Sequence, residues 1–185
     1  MARITAILFA LFLVAASAVA QVPTSGNVFL GYSYDNTNFS NVGRAGLNGW
    51  QGSFEGKIFP GLGIVADFSG HYGSQNYISP SNACPIGGPC PSGYNIHAFD
   101  GMFGPRFSAS FGRFRPFAEF EFGFAHASIN GVVSGTSFAA ASGGGLDYRI
   151  LRPIAWRVQA DFVSSHLLNQ YQSSLRLSTG LVVRF

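Results

Sequence analysis

The chain is poor in charge. Lysine, arginine, aspartate and glutamate together make up 10% of its 185 residues, where a soluble globular domain carries about 25%. Beyond residue 20 it also lacks any apolar run approaching the ~20 residues that a membrane-spanning helix needs. No cluster of lysine and arginine occurs along the sequence, so nothing supports nucleic-acid binding. Two cysteines are present, and two thiolates alone fall short of the ligands that zinc takes. Low charge without a spanning helix leaves one way to live in a membrane, a closed β-barrel.

What the chain has in quantity is aromatic side chains, with 19 Phe and 7 Tyr, set in a two-residue alternation. The last segment is the clearest. Leu175, Leu177, Thr179, Leu181, Val183 and Phe185 alternate with Arg176, Ser178, Gly180, Val182 and Arg184. Successive strand side chains point to opposite faces, so one face is apolar and the other carries two arginines. An apolar outside with a polar inside marks a strand whose outer face touches lipid.

The N-terminal segment predicts export. Arg3 precedes the apolar run Ala6 to Ala16, and Ala18-Val19-Ala20 fits the small-x-small cleavage rule. Residues 1–20 are therefore expected to be a signal peptide, with a mature barrel domain over 21–185 starting at Gln21. An uncleaved anchor helix is disfavoured by the cleavage-like end and by the missing basic flank.

Seven more alternating segments precede the last. Val28, Leu30, Tyr32 and Tyr34 oppose Phe29, Gly31 and Ser33. Trp50, Phe54 and Ile58 oppose Gln51, Ser53, Glu55 and Lys57. Ile64, Ala66, Phe68 and Tyr72 oppose Val65, Asp67, Ser69 and His71. Phe99, Phe103 and Phe107 oppose Asp100, Met102 and Arg106. Ala118, Phe120, Phe122 and Phe124 oppose Glu119 and Glu121. A glycine-rich sixth segment sets Phe138, Ala140, Leu146 and Tyr148 against Asp147 and Arg149. Ile154, Trp156, Val158, Ala160 and Phe162 oppose Arg157, Gln159 and Asp161. The expectation is an all-β fold, an eight-stranded antiparallel transmembrane barrel.

Connection lengths alternate too. Those around Pro60-Gly61, Ser110 to Arg113 and Leu151 to Pro153 are short. Those at Asp35 to Gly46, Gly73 to Gly93, Asn130 to Thr136 and Ser164 to Ser173 read as longer, polar loops. Short periplasmic turns and longer outer loops are the usual arrangement, which puts both termini in the periplasm.

Seven of the eight acidic residues share the face opposite the aromatics: Glu55, Asp67, Asp100, Glu119, Glu121, Asp147 and Asp161. Lys57, Arg106, Arg149, Arg157, Arg176 and Arg184 share it with them. Eight strands enclose a lumen just wide enough to be filled by side chains. These groups are expected to form an ion-pair network that plugs it, because an unpaired buried charge costs ~3–5 kcal/mol.

At this point the chain resembles the small outer-membrane β-barrel family that groups OmpA-like transmembrane domains and OmpX-like proteins, often labelled porin family. The resemblance runs from Val28 to Phe185. It rests on VFLGYSY (28–34), LNGWQGSFEGKIFPGLGIVADFSGHYG (47–73), MFGPRFS (102–108), GGGLDYR (143–149) and the terminal LRLSTGLVVRF. It implies residence in the bacterial outer membrane, contact with its lipid and lipopolysaccharide, and insertion by the assembly machinery that reads the last strand. The terminal Phe185 resembles the assembly signal of such barrels. No periplasmic peptidoglycan-binding domain is expected after the barrel, and the family's members differ in function.

Chemical motifs are few. Gly61-Leu62-Gly63-Ile64-Val65-Ala66 matches a dinucleotide fingerprint, but two-residue alternation follows it where that motif needs a helix. It reads as a turn and a strand, and no cofactor is expected. Cys84 and Cys90 in CPIGGPC favour a disulfide in an exported chain. His126-Ala127-Ser128 is similar to the HxS element of outer-membrane lipid A deacylases, whose histidine needs an orienting acid. His71 above Asp67 offers a histidine–carboxylate pair. Neither spot assembles a nucleophile, a base and an orienting group. The leading expectation is a monomeric, non-enzymatic outer-membrane barrel serving envelope integrity or surface contact through its outer loops. The alternatives are a lipid-modifying enzyme and a small-solute channel.

Overall fold

The structure, a computed structural model, describes residues 25–39, 43–75, 94–129, 133–167 and 170–185. Eight strands follow in chain order: β1 (Gly26–Phe39), β2 (Gly43–Phe59), β3 (Leu62–Gln75), β4 (Tyr94–Ser108), β5 (Phe114–Ile129), β6 (Val133–Arg149), β7 (Ile154–Leu167) and β8 (Gln170–Arg184). Each is antiparallel to its sequence neighbour, and β1 pairs with β8 to close a barrel.

The seam runs from Asn27 opposite Arg184 to Asn38 opposite Ser173. Gly26 and Phe185 pin its lower end. The Gly26 N–H donates to the Phe185 carbonyl at 2.9 Å, and the Phe185 N–H donates back at 3.1 Å. Closure leaves no strand edge unpaired, the one sheet geometry that satisfies every backbone group within lipid.

Alternation fixes the faces as the residues require. Leu30, Phe54, Phe68, Phe103, Phe120 and Leu181 are exposed on the outer wall, while their chain neighbours Phe29, Glu55, Asp67, Met102, Glu121 and Val182 are buried. Phe138, at 67% exposure, and Leu30, at 66%, would be anomalous in water. Outer aromatics meet across strands: Phe103 lies 4.4 Å from Phe122 between ring centroids, and Phe54 stacks on Phe185 at 5.9 Å.

The strands are longer than their apolar alternation. They run 14 to 17 residues, where ~9–11 cross a bilayer. This corrects three of the expected loops. Asp35 to Phe39 continues β1 and Gly43 to Gly46 opens β2, paired as Asp35 with Leu47 and Asn38 with Arg44. The stretches around Asn130 to Thr136 and Ser164 to Ser173 likewise belong largely to the β5–β6 and β7–β8 ladders. At the opposite end the turns are tight: Pro60-Gly61, with Gly61 at φ +87°, and Gly112 at φ +61° beside the Phe111–Phe114 bridge. Cys84 and Cys90, and the signal segment 1–20, lie outside the described residues.

Candidate functional site

The candidate site is the lumen, and its residues arrive there by parity. Inward positions recur every second residue on eight strands, so charges far apart in sequence stack along one axis. At the short-turn end, Asp147 of β6 receives Arg157 of β7 through Nε at 2.6 Å and Nη2 at 3.1 Å. Arg184 of β8 reaches the same carboxylate at 3.0 Å. Asn27 of β1 accepts from Arg157 and donates to Glu55 at 2.6 Å.

One step further in, Glu55 of β2 takes Arg115 at 3.0 Å and Arg106 at 3.4 Å. Arg106 also grips Glu119 across the β4–β5 ladder. Phe117 lies between two guanidiniums, with Arg106 4.6 Å and Arg157 4.5 Å from its ring centroid. Arg157 also stands 5.1 Å over Phe29. Cations held over ring faces without water gain appreciably from the ring quadrupole.

Midway along the axis, Gln159 donates to Glu119 at 2.7 Å and to Asp161 at 2.8 Å, bridging two layers. Arg176 is fully buried and spans the bore. It meets Asp67 of β3 at 3.1 Å, Asp161 of β7 at 3.1 Å and Glu121 of β5 at 3.9 Å, and donates to Ser69 at 3.0 Å. Ser69 in turn donates to Asp100 at 3.1 Å. Above this layer the wall turns apolar, with Met102, Ala125, Ala139, Ala141 and Val163 packed together. A cavity of about 40 Å³ there, lined in part by Asp35, Asp100 and Leu47, has room for a few waters.

Ten of the thirteen lumen residues expected from the sequence thus enter ion pairs: Glu55, Asp67, Arg106, Glu119, Glu121, Asp147, Arg157, Asp161, Arg176 and Arg184. Asp100 is held by the Ser69 hydroxyl. Lys57 and Arg149 stand half-buried at the short-turn rim and make no ion pair among the described residues. Sequence reading missed Arg115, which alternation from Glu119 would have placed inside, and the eighth acid, Asp35. Asp35 is buried on β1, where an outer loop was expected. All eight acidic residues of the chain therefore face inward.

The other candidate spots resolve differently. His71 does not pair with Asp67. Its Nε2 lies 2.9 Å from Ser33 Oγ, while Asp67 accepts from Gln51 at 2.6 Å and meets Arg176. His126 and Ser128 sit at outward positions of β5. The His126 Nδ1 is 2.7 Å from Thr136 Oγ1, and with every acid inside, no carboxylate shares their face. Gly61 to Ala66 forms the β2–β3 turn and the start of β3, as the alternation requires.

Comparison with solved structures meets the same architecture. Neisserial surface protein A superposes with a TM-score of 0.65 at 16% identity, over 86% of this chain and 97% of that one. Ail of Yersinia pestis, solved with the heparin analogue sucrose octasulfate, gives 0.59 at 13% identity, over 87% and 98%. OprG, an outer membrane protein of Pseudomonas aeruginosa, gives 0.54 at 8%, over 88% and 96%. This chain is a β-barrel of the outer-membrane type. No protein-family model matches it, and no curated protein does. At these identities the barrel shares a fold with its neighbours, while its lumen has to be read from its own residues.

Proposed function

We propose that this barrel is a non-enzymatic, monomeric protein of the bacterial outer membrane, with both termini in the periplasm. Its plugged lumen serves as a rigid scaffold, and it contributes to envelope integrity or surface contact through the connections at its far end. The observation that carries this reading is Arg176, fully buried and bound to acids on three different strands. A side chain that ties β3, β5 and β7 to β8 across the bore is a strut in the path that a solute would take.

Other features support parts of the reading. The aromatic outer wall fits lipid and lipopolysaccharide, and a closed barrel needs no second copy to satisfy its edges. An orienting acid for His126 is missing from the outer face, which weakens a deacylase mechanism. Phe185 closes the outward stripe of β8 and stacks on Phe54, a position suited to the assembly signal expected of it. A disulfide between Cys84 and Cys90 would brace the β3–β4 connection, the longest in the chain.

The test is electrical. The refolded protein, inserted in a planar lipid bilayer, should show no steady conductance, while a deletion strain should become more sensitive to detergents. A steady wild-type current would favour the solute-channel reading instead.

A further inference from the structure

The short-turn end gathers cations that the sequence scatters. Lys57, Arg113, Arg184 and the Arg149–Arg152 pair come from four separate places in the chain and stand on one rim. Two backbone bonds draw the arginines together. The Arg149 N–H donates to the Arg113 carbonyl at 2.9 Å, and the Arg184 N–H donates to the Pro153 carbonyl at 3.0 Å. Between them lies an open cleft of about 280 Å³, lined by Arg149, Arg152, Pro153, Arg184 and Phe185.

No acidic side chain on the outer surface answers these charges, because all eight face the lumen. Arg184 spends one guanidinium nitrogen on Asp147, and its buried Nε has no partner among the described residues. Arg149 and Arg152 make no ion pair among the described residues. The Phe185 carboxylate also lines the cleft; one of its oxygens is held by the Gly26 N–H, it makes no ion pair with the arginines among the described residues, and they outnumber it three to one. Two arginines free of ion pairs, with Arg184 beside them on the same cleft, suit a phosphate, whose oxygens accept paired N–H donors.

The turns beside the cleft say which phosphate. Their tips are apolar and outward: Phe59 at 62%, Phe111 at 66% and Leu151 at 66% exposure. In water such tips would be costly. At a bilayer surface, apolar tips sink below the headgroups while neighbouring arginines stay at phosphate depth. Free phosphate would explain the arginines and leave the tips unexplained.

We propose that the short-turn end binds anionic phospholipid headgroups, with the Arg149–Arg152–Arg184 cleft gripping a lipid phosphate. This rests on the orientation proposed above, which turns that end toward the phospholipid leaflet of the outer membrane.

The test uses the refolded barrel in nanodiscs of phosphatidylcholine mixed with phosphatidylglycerol, followed by native mass spectrometry of the lipid retained on release. Wild type should hold phosphatidylglycerol in preference to phosphatidylcholine. Arg149→Gln with Arg152→Gln should weaken that preference about thirtyfold, the effect of two charges removed from a membrane surface. Both variant positions lie at the rim, and a folded double variant is identified by its heat-modifiable gel shift. Should it misfold, Arg152→Gln alone, in an exposed turn, gives the same reading at about fivefold. Equal retention by wild type and variant would overturn the proposal. Stripping of phosphatidylglycerol by millimolar inorganic phosphate would overturn the lipid assignment and leave a free-phosphate site. A barrel that inserts without lipid preference overturns this inference alone, whereas one that fails to insert overturns the membrane reading beneath it.

Discussion

Arg176 and Arg157 are both buried arginines, yet their losses should differ. Arg176→Leu leaves Asp67, Asp161 and Glu121 facing one another without their shared cation. The expected destabilisation is ~3–5 kcal/mol, the usual result of orphaning a buried charge. Arg157→Leu should cost less, because Asp147 keeps Arg184 at 3.0 Å. Urea unfolding midpoints of the two variants in detergent check the order, and equal midpoints would mean that the pairs do not bear on stability. Most of this layer was legible beforehand, since each inward charge sits between two apolar outward neighbours. Two residues escaped for a physical reason. Asp35 lies among Asn36, Thr37 and Asn38, where the outward positions are themselves polar and the contrast between faces vanishes. Arg115 stands beside Pro116 and one step from Phe117, an aromatic that points inward because two guanidiniums cover its ring.

Strand β6 shows what an element does when its neighbours need the space. Its run Gly143-Gly144-Gly145 looks like a weak point in a strand, where glycine packs nothing. The lumen explains it. A Cβ on Gly145 would come within 2.3 Å of the Val158 carbonyl oxygen on β7 and 2.7 Å of the Phe117 ring, and one on Gly143 would overlap the Asp161 carboxylate. The bareness of β6 makes room for the ring between Arg106 and Arg157. Gly145→Val should therefore push on both the β7 backbone at Val158 and the Phe117 ring, and destabilise the barrel by at least about 1–3 kcal/mol, the range for overpacking. The urea midpoint measures it, and an unchanged midpoint would show that β7 and Phe117 both have slack. Element ends were less legible than element centres. Alternation marks only the part of a strand that meets lipid. Beyond it both faces are polar, so Asn36 to Phe39 and Gly43 to Gly46 read as loop although their backbones stay paired.

Among the described side chains, charge is sorted by direction: acids inward, unpaired cations to one end. That sorting joins residues as distant as Lys57 and Arg184, so a search for basic runs along the sequence finds nothing. The fold class and the facing of the strands could be read from alternation. The rim could not, because it exists only once the turns are side by side. Orientation follows from the same asymmetry of ends. Protease added to intact cells should cut the β3–β4 connection between Gly73 and Gly93 and spare the Pro60-Gly61 turn. Mass spectrometry of the fragments reads this directly, and cleavage at Pro60-Gly61 in sealed cells would invert the topology.

The β1–β8 seam also sets an order of events. Asn27 meets Arg184 across it, so the first strand waits for the last residues of the chain before its outer edge is covered. Every other pairing joins consecutive hairpins and can form early. This one must close a loop of nearly the full length, the slowest kind of contact to reach. Until then both end strands present open hydrogen-bonding rows, which recruit other strands when left exposed. A chain of this design cannot complete itself piecemeal as it is made. Closure is the one pairing of β1 that waits for β8.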